Sequence, residues 1–144
     1  EMEAKLKETK DELAAEKLEA ETKAMFLTAA QVFGRLAPRF PTHELAGKTL
    51  VVSGQCYMRA EEFDKAVKAL GDAIAKTEGV DNELTSEAMY WRADAYSKSN
   101  DLLNAYREFR KLIWDYPASR WAKYARGRLI APEMRRVAEQ DKGI

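Results

Sequence analysis

Residues 93–117 read ADAYSKSNDLLNAYREFRKLIWDYP, and the spacing within them decides the fold. Ala93 lies three residues before Tyr96. Ala105 follows nine after the tyrosine, Phe109 four later, and Pro117 closes the stretch eight residues on. An earlier stretch carries the same spacing, with Gly54, Tyr57, Ala66 and Leu70 in the matching places. Upstream, Ala29, Phe33 and Pro41 repeat the latter half; downstream, Gly127 stands for the small residue and Ile130 for the tyrosine. Repeated spacing predicts repeated structure. The small residues let two helices of a hairpin approach, the rings and Leu70 fill the groove between them, and Ala66 and Ala105 sit where the helices cross.

Breakers place the helices. Ala37-Pro38-Arg39-Phe40-Pro41-Thr42 is expected to end a first long helix, with Thr42 capping the next to about Arg59. A further helix is expected over 62–76, and Thr77–Asn82 reads as a loop with Gly79 in left-handed geometry. Thr85 or Ser86 is expected to cap a helix ending near Lys98, and Asn100 or Asp101 the next, which Tyr116-Pro117 terminates. Ser119 opens another, and Pro132 suits the first turn of a last one.

Composition agrees. The chain has 144 residues, 46% of them hydrophobic, with seven glycines and four prolines. That predicts an all-helical fold with a buried core. Twenty-four basic residues balance twenty-four acidic ones, so nothing draws the chain to nucleic acid or an anionic membrane, and no apolar run approaches the ~20 residues of a membrane span. One cysteine and one histidine speak against a disulfide framework or a metal centre. The chain starts at Glu1 without a signal-peptide pattern, which reads as a trimmed chain whose targeting segment, if any, is missing. Charge is uneven: residues 1–23 carry a net −3 and residues 107–144 a net +5. Such asymmetry can orient a partner or bring copies together head to tail; plain solvated helix faces are the preferred reading.

A small residue before a tyrosine, then Ala-x3-Phe and a closing proline, resembles the tetratricopeptide repeat over residues 24–131. That family's unit is close to 34 residues, whereas Tyr57 to Tyr96 is 39, so the Thr77–Leu84 loop carries the excess. Ser53 and Arg92 stand where the family has leucine, and Glu78 where it has the proline. The run Ala88–Tyr96, with Phe109, Tyr116-Pro117-Ala118-Ser119 and Ala122 and Ala125 beyond, is similar to the bacterial periplasmic branch of that family. That branch includes the Tol–Pal coordinator YbgF/CpoB and the outer-membrane-assembly lipoprotein BamD. The resemblance implies an α-solenoid scaffold of the cell envelope, in the periplasm and tied to outer-membrane assembly; a cytoplasmic location is the alternative.

It also implies a concave groove lined by the first helix of each hairpin. Val51, Gln55, Met58 and Arg59 would face it from one repeat, Tyr90, Trp91, Asp94 and Lys98 from the next, and Trp121, Tyr124 and Arg128 from the third. These types dominate protein–protein hot spots, although Trp91, Trp121 and Tyr124 could equally be core between repeats. Family members that grip a C-terminal carboxylate carry Lys and Asn where Val51, Gln55, Tyr90 and Asp94 stand here, which argues against such a clamp. The expected function is a non-catalytic scaffold binding a peptide or protein. The alternative is a self-association module, a homo-oligomer paired through the N-terminal helix or the solenoid ends.

The charged extension over 1–23 places Leu6, Leu13, Ala20 and Leu27 seven apart, but Thr9, Glu16 and Lys23 fill the second seam position, a poor two-stranded coil. Packing of its C-terminal half on the first repeat, with the N-terminal half projecting, is preferred over an oligomerising arm. Residues 132–144 are expected to form a capping helix and tail. His43 reads as an exposed first-turn residue, and Cys56 as a small buried thiol without a base in reach. No phosphate loop or HExxH motif occurs. The expectation is no enzyme, no cofactor and no metal.

Overall fold

The computed structural model describes residues 1–141, so the last three residues of the expected C-terminal tail lie outside the described residues. Among the described residues seven helices follow one another: α1 (Met2–Arg39), α2 (Ala46–Arg59), α3 (Phe63–Thr77), α4 (Asn82–Lys98), α5 (Leu102–Asp115), α6 (Arg120–Leu129) and α7 (Pro132–Asp141). Each packs on its neighbours in the chain, and α2 also touches α4, α4 touches α6, and α5 touches α7. That is a solenoid of three antiparallel hairpins, α2/α3, α4/α5 and α6/α7, with α1 laid against the first. A face of each hairpin is buried only by the next one along.

Side-chain caps start α4, α5 and α6. Asp101 accepts from the Asn104 N–H and Ser119 from the Trp121 N–H, capping α5 and α6 as expected, and Pro132 begins α7. Gly79 has φ +77° in the loop before α4. The Ala37–Thr42 stretch ends α1 as expected, at Arg39, with Pro38 inside the last turn and the Phe40 N–H donating to the Leu36 carbonyl. Two expectations need correction. Thr42 caps nothing: the chain makes a turn in which the His43 N–H bonds Phe40 O and the Ala46 N–H bonds His43 O, so α2 starts only at Ala46. Asp81, not Thr85 or Ser86, caps α4 by accepting from the Leu84 N–H at 3.0 Å. Thr85 and Ser86 are buried further along. There Thr85 is 2.8 Å from Thr77 Oγ1, and Ser119 Oγ is 2.9 Å from Ser86 Oγ, joining adjacent hairpins.

The repeat spacing is realised in the core. Ala66, Leu70, Ala105 and Phe109 are fully buried, with Tyr57 and Tyr96 half-buried against their two clusters. A Cβ added at Gly54 would lie 2.5 Å from Leu70 Cγ, so α2 and α3 meet too closely there for any larger residue. Gly127 is different. Nothing lies within 4 Å of a Cβ placed on it, and Ile130 is exposed, so the third hairpin does not reproduce the close approach its sequence suggests.

Residues 1–22 of α1 are exposed, whereas the C-terminal half docks on α2. Lys23 reaches Glu61 at 2.7 Å, Arg59 lies over the Phe26 ring, and the Ser53 hydroxyl donates to Ala30 O at 2.7 Å. The hydrogen bonds from Lys23 to Glu61 and Glu19 raise its pKa above the ordinary lysine value. The two departures from the leucine position also find a role. Ser53 makes that bond to α1, and Arg92 Nη2 donates to both carboxylate oxygens of Glu108 on α5.

Candidate functional site

The first helices of the hairpins, α2, α4 and α6, lie side by side and carry the expected groove residues. Between α2 and α4 is a hollow of about 370 Å³ walled by Gln55, Met58, Arg59, Trp91 and Lys98. Between α4 and α6 an aromatic cluster takes over. Tyr90 lies 5.4 Å from Trp121 and 6.1 Å from Tyr124, Trp91 lies 5.8 Å from Trp121, and Trp121 lies 5.6 Å from Tyr124, centroid to centroid. Tilted and edge-on contacts of this kind hold rings in place beyond their burial. Tyr90 also touches Phe109 of the core. The rings therefore belong to both layers, with one edge packed between repeats. Tyr124 is the most open of the four, at half exposure.

Charge is arranged around them. Arg128 donates to Asp94 at 2.7 Å and to the Tyr90 hydroxyl at 3.4 Å, and its guanidinium lies over the Phe109 ring. Burial works against its charge, yet the hydrogen bonds to Tyr90 and Asp94 outweigh that and leave it more firmly protonated than an ordinary arginine. Lys98 approaches the same carboxylate at 3.2 Å, so Asp94 is answered by two cations. At the other end of α4, Glu83 accepts from Trp121 Nε1 at 3.2 Å and forms an ion pair with Arg120, whose Nε lies 2.9 Å away. Arg120 stacks over the Trp121 ring. Glu83 and Arg120 are parts of this surface that the sequence reading missed. The 38-residue gap between Glu83 and Trp121 hides their meeting, and only the stacking of α4 on α6 produces it.

Three assigned positions are corrected. Val51 is fully buried in the core cluster of the first hairpin and cannot face a partner. Met58 is buried apart from a small area at the wall of the hollow. Asp94 is buried beneath Arg128 and Lys98, so it positions those cations rather than meeting a partner itself. In each case one turn of helix faces the neighbouring hairpin more than the groove, which spacing alone does not resolve. Gln55, Arg59, Tyr90, Trp91, Lys98, Trp121, Tyr124 and Arg128 all retain some exposure on this side. Trp91 Nε1 is shut off from solvent and has no hydrogen-bond partner among the described residues.

Groups weighed for chemistry stand apart. His43 is exposed, and its Nδ1 accepts from the Leu45 N–H in the turn before α2. Cys56 is half-buried, and burial pushes its thiol pKa up, away from the thiolate a nucleophile needs. No cluster of three potential metal ligands occurs among the described residues, and no described helix is long and apolar enough to cross a membrane.

The structure defines an all-α helical-repeat protein of stacked hairpins. Within it, residues 87–119, covering most of α4, all of α5 and the turn into α6, match the family model described as Tetratricopeptide repeat, and the stacked hairpins form a solenoid like that of such repeats. Members of that family generally mediate protein–protein interaction. No curated protein and no solved structure matches the chain.

Proposed function

We propose that this chain is a non-catalytic scaffold that holds a peptide or protein in the groove of α2, α4 and α6, within a bacterial envelope assembly. The observation that carries the binding role is the hollow beside Trp91, with its aromatic continuation to Tyr124 and its cationic rim. Arg59, Lys98, Arg120 and Arg128 edge the surface, and although Asp94 pairs with Lys98 and Arg128 and Glu83 with Arg120, these four cations outnumber the two acids. A surface with an aromatic floor and positive edges suits an extended or helical segment whose apolar anchors are flanked by carboxylates. The envelope setting is supported by the resemblance of the Ala88–Tyr96 and Tyr116–Ala125 pattern to periplasmic repeat proteins.

Selection from a random peptide library on the full chain tests this. Enriched peptides are expected to combine aromatic or aliphatic residues with Asp and Glu. Tyr124→Ala and Lys98→Glu, both at exposed positions, are each expected to weaken the selected peptides at least about 10-fold in fluorescence anisotropy. Unchanged affinity in both variants would remove the groove from the account.

A further inference from the structure

A face of α1 flanking its contact with α2 carries an apolar seam, exposed at Ala15, Leu18, Thr22, Met25 and Val32 and half-buried at Ala29 and Leu36. Its members are Ala15, Leu18, Thr22, Met25, Ala29, Val32 and Leu36, separated alternately by three and four residues. That is the spacing of a coiled-coil seam. It lies on neither the Leu6/Leu13/Ala20/Leu27 register nor the face docked on α2, which uses Ala30 and Ala37. Leu18 is 65% exposed, Met25 73% and Val32 50%. The Thr22 hydroxyl donates to Leu18 O of its own helix at 2.8 Å, so burying this side chain would orphan no donor.

The order of sizes along the seam names its occupant. Small residues (Ala15, Thr22, Ala29) alternate with large ones (Leu18, Met25, Val32), and each series repeats every seven positions. Laid antiparallel on a second copy of itself, with Thr22 opposite Met25, the seam sets Leu18 opposite Ala29 and Val32 opposite Ala15. Leu18, Met25 and Val32 then each meet a small side chain, which lets two helices approach closely, while Leu36 falls opposite Asp11 at the end of the paired stretch. Parallel pairing would instead stack large on large and small on small.

Charge selects the same arrangement. Residues 8–23 carry six acids and three lysines, a net −3, while residues 24–39 carry Arg35 and Arg39 and no acid. Antiparallel pairing overlays these two halves; parallel pairing would place acidic half on acidic half. The seam also runs on at Leu36 into an almost wholly apolar hollow of about 370 Å³ lined by Leu36, Phe40, His43, Leu45, Ala46 and Thr49. In the antiparallel pair, the first turns of the second copy's α1 lie along that hollow. We infer that the chain forms a two-fold dimer through an antiparallel α1–α1 pair on this seam.

Analytical ultracentrifugation of the full chain tests this. A dimer is expected, and Met25→Glu, at an exposed position, should raise its dissociation constant at least about 100-fold because the two-fold axis places the change twice in one interface. Retained helical circular dichroism would show that the variant still folds. Leu13→Glu, equally exposed but off the seam, should leave the dimer intact. In a Cys56→Ser background, a mixture of Thr22→Cys and Met25→Cys chains should form the crossed disulfide, whereas Leu18→Cys chains alone should not cross-link. A monomer at every concentration, a Met25→Glu dimer of unchanged strength, a Leu13→Glu monomer, or efficient Leu18→Cys cross-linking would each overturn the pairing.

Discussion

The first two hairpins solve one packing problem in opposite ways. Thirty-nine residues separate equivalent positions, as Tyr57 and Tyr96 show, so Ser53 answers to Arg92 and Ala69 to Glu108. In α4/α5 the long pair bridges the helices, with Arg92 Nη2 at 2.7 and 2.9 Å from the Glu108 oxygens and both side chains largely buried. Gly71 of α3 makes room beside the guanidinium, since its Cβ would lie 3.4 Å from Arg92 Nη1. In α2/α3 both positions are small, and a hollow of about 350 Å³ opens there, lined by Gly34, Ser53, Tyr57 and Ala69 among others. Ser53 instead draws α2 onto α1 by its bond to Ala30 O, with Gly34 opposite it. One seam is held by a charged bridge and the other by close backbone approach. A repeat therefore conserves spacing and hand while each interface chooses its own chemistry.

The largest difference should appear when the bridge is cut. Glu108→Ala leaves a mostly buried guanidinium without its partner, and urea unfolding should show a loss of about 3 kcal/mol. The double change Arg92→Met/Glu108→Leu should recover most of it, because an apolar pair of similar volume needs no charge compensation. If the double variant were as unstable as the single one, the pair would be contributing more than mutual neutralisation.

The glycines sharpen the contrast with a smaller effect. Gly54→Ala drives a methyl into Leu70 and should cost about 1–3 kcal/mol. Gly127→Ala, at the equivalent place in α6 but without a neighbour, should stabilise by about 0.5–1 kcal/mol, because alanine favours the helix and meets nothing. Equal effects at the two sites would mean that the close approach is not specific to the first hairpin.

What could be read from the sequence follows from how local each determinant is. Asp101, Ser119, Gly79 and Pro132 act within one turn of their own position, and their roles are legible. So are Ala66, Leu70, Ala105 and Phe109, whose burial follows from repeated spacing. Thr42 was misread because a turn at Phe40–His43 takes up the residues that would have begun α2. Val51 and Asp94 were misread because one helix turn decides between groove and neighbouring hairpin. Arg92–Glu108 and Glu83–Trp121 were invisible, since their partners come from different helices and carry no spacing signal. The seam on α1 stayed hidden behind the leucines of another register, although its own alternation of sizes was present in the chain.

The three tryptophans provide the most direct test of the groove. Trp91 and Trp121 lie within it, whereas Trp114 on α5 is 86% exposed and stands outside it. Their indole N–H resonances can be followed by nuclear magnetic resonance while a library-selected peptide is titrated into the full chain. The account predicts that the Trp91 and Trp121 signals move with saturation and that Trp114 stays in place. Movement of Trp114 with Trp91 and Trp121 unchanged would contradict it.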